Sequence, residues 1–188
     1  TLSTLQIQLP TKLHPVFVGD ADFRGAFGGR GSSKTRSFAM MAAIKAAAWA
    51  EEGREGIILC ARQFMNSLQD SSMEEIKAAI RAMPWLMERY DIGEGFIRTK
   101  CRRISFAFRG LDKNISAIKG LARILLAWVD EAENVTDYAW SVLIPTIREI
   151  DSEIWVTWNP EVEDSPTDKR FRKEQTSRMK IVEMNWTD

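Results

Sequence analysis

Apolar residues form three short continuous runs along the chain. They read GIILCA, RILLAWVDEAE and EIWVTWNP, at residues 56–61, 123–133 and 153–160. Continuous hydrophobicity, rather than alternation, is typical of strands that are buried on both faces of a sheet. A fourth strand is predicted for FRGAF, residues 23–27, which runs directly into a glycine-rich stretch. Two of the apolar runs end in polar residues: the run at residues 123–133 ends in DEAE, and the run at residues 153–160 ends in NP.

Helical segments are expected between these strands. Residues 34–52 are rich in alanine and methionine and contain no helix breaker, so they predict a helix directly after the glycines. A second helix is expected from about Ser67, after the second strand, and Ser72 and Glu75 near its start have capping-box spacing. A third is expected over residues 137–147, bent or ended by Pro145. This alternation predicts an α/β fold with a mainly parallel sheet that helices cover on both faces.

Two further segments alternate in polarity with a period of two. They are FIRTK and RISFAF, residues 96–100 and 103–108. The alternation predicts a hairpin or a pair of strands. No linker or repeat divides the sequence, so we expect residues 1–188 to form one domain, with residues 1–20 as an N-terminal extension.

Composition narrows the class of protein. The 188 residues are 45% hydrophobic, without the apolar run of about 18 residues that a membrane span requires and without a secretory signal. We therefore expect a soluble, cytoplasmic protein with no membrane partner. The two cysteines have no CxxC or cysteine–histidine pattern, which argues against a zinc site and a disulfide framework.

Charge restricts how the chain could bind a polyanion. Basic and acidic residues both number 26, so net charge cannot draw the protein onto nucleic acid and any such contact must be local. A solvated charged face is the alternative interpretation of each basic cluster. The clusters are Arg98, Lys100, Arg102 and Arg103, then Lys169, Arg170, Arg172 and Lys173.

The glycine-rich stretch GGRGSSKT has the features of a phosphate-binding loop, with a plain glycine turn as the alternative. Such a loop needs backbone N–H groups at a helix start, a lysine for the β- and γ-phosphates, and a hydroxyl for Mg²⁺. Ser33 replaces the usual glycine and can still donate its N–H if its φ is negative. The predicted strand before the loop and the helix after it favour phosphate binding. The candidate residues are Gly28, Gly29, Arg30, Gly31, Ser32, Ser33, Lys34 and Thr35.

Polar residues at two strand ends complete the candidate site. Asp130 and Glu131 follow an apolar run, at the strand end where ligands bind in open α/β sheets. Asp130 would hold the Mg²⁺ bound by Thr35, and Glu131 would polarise the water that attacks the γ-phosphate. A solvated acidic turn is the alternative. Thr157 and Asn159 end another strand and could sense the γ-phosphate, with a proline-stopped turn as the alternative.

Several segments in a fixed order resemble the N-terminal ATPase domain of tailed-bacteriophage large terminase subunits. They are GGRGSSKT, ARQFMNSLQDSS, FAFRGLDKNISAIKG, LLAWVDEAENV and VTWNP, which together extend over nearly all of the chain. The resemblance implies a P-loop NTPase fold of the RecA-like class. It also implies a motor that hydrolyses ATP, with Mg²⁺, to translocate double-stranded DNA into a procapsid. The departures from the common pattern are Ser33 and Trp158.

The resemblance assigns roles by motif. Lys34 and Thr35 would bind phosphate and Mg²⁺, Asp130 would be the metal-side acid and Glu131 the catalytic carboxylate. Thr157 and Asn159 fall in the coupling motif, and Arg30 matches an arginine that stabilises transition-state charge. A phosphate-binding or structural arginine is the alternative for Arg30. A neighbouring subunit could also donate an arginine, for which the candidates are Arg102, Arg103 and Arg109.

The implied partners are double-stranded DNA, a portal protein and a small terminase subunit, in the host cytoplasm. We expect a homo-oligomeric ring in the assembled motor, and a weakly hydrolysing monomer in isolation. Family members usually have a C-terminal nuclease domain, which this sequence does not include, so we expect no DNA cleavage. A helicase-like or RecA-like ATPase, a small-molecule kinase and a nucleotide-gated binding module remain as alternatives.

Overall fold

A computed structural model describes residues 5–188 of the chain. Within that range one sheet contains eight strands in the order β3-β4-β5-β2-β6-β7-β1-β8. The strands are β1 (Phe23–Phe27), β2 (Gly56–Arg62), β3 (Tyr90–Ile92), β4 (Ile97–Thr99), β5 (Ile104–Gly110), β6 (Ile124–Val129), β7 (Glu153–Trp158) and β8 (Met179–Glu183).

Helices connect most of these strands. They are α1 (His14–Phe17), α2 (Lys34–Glu51), α3 (Met73–Ala82), α4 (Pro84–Met87), α5 (Leu111–Ile118), α6 (Asp137–Thr146) and α7 (Pro166–Asp168). A π-helical turn, Lys169–Lys173, continues α7, and 3₁₀ turns occur at Leu68–Asp70 and Ala132–Asn134. The predicted helix after the glycines is confirmed, and so is the helix near Pro145, which ends at Thr146.

The sheet is parallel except at one edge. Strands β5, β2, β6, β7, β1 and β8 all pair in parallel, whereas β3 and β4 pair antiparallel with each other and β4 pairs antiparallel with β5. The predicted mainly parallel α/β sheet and the predicted strand pair are therefore confirmed. Because parallel strands point the same way, the carboxyl ends of β2, β6, β7 and β1 lie along one edge.

The core forms two layers, one on each face of the sheet. Phe38 of α2 packs edge-on against Trp155 at a centroid distance of 5.8 Å, in the layer that also contains Trp128. Trp140 of α6 packs against Phe171 at 4.8 Å in the opposite layer. Helices therefore cover both faces, as the continuous apolar strands require.

The N-terminal segment is part of this core. Val16 is fully buried, and the buried guanidinium of Arg24 donates to the carbonyl oxygens of Val16 and Gly19 at 2.7 and 2.5 Å. Arg24 also forms a buried ion pair with Glu153. These bonds attach the segment to the starts of β1 and β7.

One predicted helix start is wrong. The capping box lies at Ser67 and Asp70, where it opens a 3₁₀ turn, and α3 begins only at Met73. Ser72 precedes α3 without making a side-chain cap, because it is buried with ψ near 5° rather than extended. An N-cap needs extended backbone, so matching spacing alone was not enough.

Candidate functional site

The glycine-rich loop, residues 28–33, connects β1 to α2 through left-handed backbone. Gly28 has a φ of 144°, and a Cβ there would lie 1.7 Å from the carbonyl oxygen of Met184. Gly31 has a φ of 79°. Ser33 has a φ of 57°, so the negative φ considered for it is wrong. The backbone takes the conformation for which the usual pattern has glycine, at a cost of about 1–2 kcal/mol for a residue with a side chain.

Lys34 is the first residue of α2 and is buried at the base of the loop. Its burial lowers the pKa of the ammonium, and the charges of Asp130 and Glu133 partly offset this effect. Phosphate would substitute for the oxygens that now surround the ammonium. Four acceptors share the three N–H groups of Lys34 Nζ: Gly28 O (3.0 Å), Gly29 O (2.9 Å), Ser32 Oγ (2.8 Å) and Asn159 Oδ1 (3.0 Å).

Asp130 lies directly after β6 and is 3% exposed. Its Oδ1 accepts hydrogen bonds from Thr35 Oγ1 at 3.3 Å and from Thr157 Oγ1 at 2.7 Å. Its Oδ2 accepts from Arg62 Nη2 at 2.9 Å. The fold thus brings together Thr35 and Asp130, which are 95 positions apart in the sequence.

Thr157 faces Asp130 from the neighbouring strand β7. Its buried hydroxyl accepts from Trp128 Nε1 at 3.0 Å while it donates to Asp130. Since the hydroxyl has a partner on each side, its rotation is fixed. The contact shows that Thr157 orients the carboxylate of Asp130 in this structure.

Glu131 differs from Asp130 in its exposure. Its side chain is 55% exposed, and its backbone is left-handed with a φ of 51°. Its Oε1 is 3.8 Å from Arg62 Nη1. Left-handed backbone at a residue with a long side chain is strained, and such strain is common at functional sites. The sharp turn after Asp130 leaves the Glu131 carboxylate open to the cleft.

Two residues in this site were missed from the sequence. Arg62 ends β2 and bonds to Asp130, and Glu133 accepts a hydrogen bond at Oε2 from the backbone N–H of Asn159 at 3.3 Å. Burial, together with the charges of Glu131 and Asp130, raises the pKa of Glu133. Arg62 is the last residue of a buried strand, and Asp130 directly follows another. A polar residue at the end of a predicted apolar strand was therefore the sequence signal that could have indicated Arg62.

A cleft of about 580 Å³ joins these groups. Its lining includes Lys34, Thr35, Asp130, Glu131 and Asn159. A neighbouring cavity of about 870 Å³ shares Ser33, Arg36 and Glu75 with it and extends over Gln6, Gln8, Met40 and Met83. The two cavities therefore adjoin each other beside the glycine-rich loop.

The groups nearest the loop suit a magnesium ion. Thr35 offers a hydroxyl oxygen and Asp130 a carboxylate oxygen, 3.3 Å apart. Oxygen ligands are those that Mg²⁺ prefers, and it is commonly bound by one or two carboxylates together with substrate phosphates. This donor set therefore fits the metal.

The arginines suggested for charge stabilisation lie in different places. Arg30 is 82% exposed and pairs with Glu161 at 3.0 Å, so its guanidinium is on the rim of the cleft. Arg109 lies near the carboxyl end of β5, on the same edge of the sheet as the glycine-rich loop. Arg102 and Arg103 precede β5, at the opposite edge.

The two basic clusters differ in their ion pairing. In the second cluster, Arg170 pairs with Asp137 at 2.7 Å and Lys173 pairs with Asp164. In the first cluster, no carboxylate among residues 5–188 lies within ion-pair distance of Lys100 or Arg102. Arg98 of the first cluster pairs with Asp91, whereas Lys100 and Arg102 present unpaired positive charge in the exposed turn between β4 and β5.

Comparisons with known proteins identify the family and the fold of this chain. A family model described as phage terminase large subunit matches residues 21–185. No curated protein matches the chain. The large terminase of a thermophilic bacteriophage superimposes with a TM-score of 0.74 at 13% identity, covering 95% of this chain and 43% of that one. The large terminase of bacteriophage HK97 gives 0.64 at 12% identity, covering 94% and 39%.

In a third structure, this chain covers a larger share of the matched protein. The ATPase domain of the Thermus phage P74-26 large terminase gives a TM-score of 0.66 at 12% identity, covering 94% of this chain and 80% of that domain. The terminase of the thermophilic bacteriophage has also been solved with ADP and with ATP-γ-S. The shared architecture is the P-loop NTPase fold, and the chain spans less than half of the first two proteins. Within residues 5–188, no helix has the length and apolarity to cross a membrane.

Proposed function

The chain belongs to the phage terminase large subunit family, and we propose that it is the ATPase domain of a viral DNA-packaging motor. One observation carries the ATPase assignment. The glycine-rich loop and its Lys34 lie beside Thr35 and Asp130 in a single cleft, although the loop and Asp130 are far apart in the sequence. Nucleotide complexes of the structurally similar terminase from a thermophilic bacteriophage support the same assignment.

We expect a nucleotide to lie across the two adjoining cavities. The phosphates would bind at residues 28–35, where α2 begins with unpaired N–H groups and the positive end of its dipole. Lys34 would exchange its present oxygen partners for β- and γ-phosphate oxygens. The neighbouring cavity, lined by Met40 and Met83, is large enough for the base and ribose.

Thr35 and Asp130 would hold the magnesium ion. When bound there, Mg²⁺ neutralises negative charge on the β- and γ-phosphates. Thr157 and Arg62 keep the Asp130 carboxylate oriented, since each already bonds to one of its oxygens. A fixed carboxylate loses little rotational freedom when its ligand arrives.

Glu131 would orient and polarise the attacking water. Its carboxylate is exposed to the cleft one residue beyond Asp130, so it can accept a hydrogen bond from a water next to the γ-phosphate. Positive charge on the far side of the transferred phosphoryl group would come from Arg30 or from an arginine of a neighbouring subunit. In isolation, the domain would then hydrolyse ATP slowly.

The test of this assignment is Glu131→Gln, with Glu163→Gln as a matched control. Glu163 is an exposed carboxylate that contacts only Lys173 among the ion pairs of residues 5–188. We expect Glu131→Gln to lower phosphate release by about 10²-fold or more while nucleotide still binds, because general-base assistance is worth that much. Equal turnover in the two variants would refute the catalytic role, and phosphate transfer to an added acceptor would favour a kinase.

The proposal extends to the motor. Residues 1–188 would form one domain that couples ATP hydrolysis to translocation of double-stranded DNA, through Thr157 and Asn159. It would work in the host cytoplasm as part of a homo-oligomeric ring, with a portal protein and a small terminase subunit, and would be monomeric alone. Because the chain is neutral overall, DNA contact needs a local positive surface, and the turn that contains Lys100 and Arg102 is our candidate for it.

DNA contact can be tested with a short duplex at several salt concentrations. We expect Lys100→Glu with Arg102→Glu to weaken binding and to reduce the log–log salt slope by about 2, since each phosphate contact contributes about 0.9. Arg170→Glu with Lys173→Glu changes the same number of charges at two residues of the second cluster that are already paired, with Asp137 and Asp164. Equal loss of affinity in both double variants would refute a specific role for the turn.

A further inference from the structure

Glu133 is a third carboxylate in the cleft, and neither phosphate binding nor water activation uses it. It lies in the 3₁₀ turn Ala132–Asn134, two residues after Glu131, and lines the cleft. Its Oε2 accepts a hydrogen bond from the backbone N–H of Asn159 at 3.3 Å. We propose that Glu133 is a positioning residue, which holds Asn159 so that its carboxamide detects the γ-phosphate.

The contact connects two of the strand ends that meet at the site. Asn159 follows β7 directly, and Glu133 belongs to the turn that follows β6. The carboxamide of Asn159 in turn accepts from Lys34 Nζ at 3.0 Å. Glu133 therefore fixes the backbone of Asn159, and Asn159 reaches the one lysine that must rearrange when phosphate binds.

Electrostatics show that this position is unfavourable for a carboxylate. Glu133 is half-buried near Asp130 and Glu131, and its pKa is raised by burial first and by those two charges. The hydrogen bond from the N–H of Asn159 lowers the pKa of Glu133, because it stabilises the charged form. A solvated surface acid would have neither the burial nor this donor, so surface solubility does not account for Glu133.

The geometry separates positioning from proton transfer. Glu131 has an exposed carboxylate beside the cleft, whereas one oxygen of Glu133 is already engaged by a backbone donor. A hydrogen-bond acceptor suffices for positioning, so glutamine should replace Glu133 through its amide oxygen. A general base could not be replaced in that way.

The inference rests on the proposed function, and nucleotide binding tests the two separately. Affinities for ATP-γ-S and ADP would be measured for the wild-type chain, Glu133→Ala, Glu133→Gln and Asn159→Ala. We expect Glu133→Ala to reduce the ratio of ATP-γ-S to ADP affinity by about tenfold, as for loss of one hydrogen bond to a charged group, with ADP affinity nearly unchanged. Glu133→Gln should keep the wild-type ratio within about threefold.

The double variant Glu133→Ala/Asn159→Ala provides the decisive comparison. If Glu133 acts through Asn159, the double variant is no worse than Asn159→Ala alone. Three results would each overturn the inference. They are a loss in the double variant that equals the product of the two single losses, an unchanged affinity ratio in Glu133→Ala, and equal defects in Glu133→Gln and Glu133→Ala. Failure of the wild-type chain to bind either nucleotide would instead overturn the proposed function. Thermal unfolding of each variant checks that it is folded.

Discussion

Thr157 provides the sharpest stability test of the site. Its hydroxyl is buried between Trp128 Nε1, which donates to it at 3.0 Å, and Asp130 Oδ1, to which it donates at 2.7 Å. Thr157→Val keeps the shape of the side chain but removes both bonds. The buried indole N–H of Trp128 then has no partner, and the buried carboxylate loses one donor.

The expected cost follows from those two losses. An unsatisfied buried donor costs about 1–3 kcal/mol, and a hydrogen bond to a charged group contributes about 1.5–3 kcal/mol. Because Arg62 still bonds to the other oxygen of Asp130, the carboxylate keeps part of its stabilisation. We therefore expect Thr157→Val to lower the free energy of unfolding by about 2–4 kcal/mol.

Urea unfolding of the nucleotide-free chain measures this difference. Thr157→Ser is the matched control, because it keeps the hydroxyl and removes a single methyl group worth about 0.8 kcal/mol. A midpoint shift at constant m-value would report stability alone. The reasoning is refuted if Thr157→Val unfolds within about 0.5 kcal/mol of the wild-type chain, or if Thr157→Ser is equally destabilised.

Three more predictions concern the loop and Arg62. Gly28→Ala should prevent stable folding, because its Cβ would overlap the Met184 carbonyl, and circular dichroism should show lost structure; a wild-type spectrum and Tm would contradict this. Ser33→Gly should raise the free energy of unfolding by up to about 1 kcal/mol by relieving left-handed backbone, seen as a higher Tm; a lower Tm would count against it. Arg62→Ala should lower the free energy of unfolding by about 2 kcal/mol without nucleotide. The loss should be smaller with saturating Mg²⁺ and ATP-γ-S, because the bound cation then replaces the positive charge of Arg62 at Asp130. An equal loss in both conditions would disprove this prediction.

Much of the fold follows from local pattern. The apolar runs at β2, β6 and β7 predicted their strands to within a few residues, because strands buried on both faces must be apolar, and β1 was predicted from its position directly before the glycines. Strand β3 and helix α5 were not predicted. The first has three residues, too few for a periodic signal, and the second begins at Leu111, directly where β5 ends, without a loop to mark the change.

Local sequence also indicated the wrong cap at α3. Ser72 and Glu75 have capping-box spacing, but Ser67 and Asp70 form the box. Spacing of three residues tests only whether two side chains can reach each other. Packing of the segment decides which serine has the extended backbone that a cap requires.

By itself the sequence determined the chemistry available in the cleft. It placed a lysine and a threonine after a glycine-rich loop, and carboxylates after an apolar strand, because these positions depend only on the order of residues along one element. The tertiary structure decided which groups contact one another. Arg62 reaches Asp130, and Glu133 reaches Asn159, only because β2, β6 and β7 are neighbours in the sheet. Strand order arises from packing of the whole chain, so no local pattern contains it.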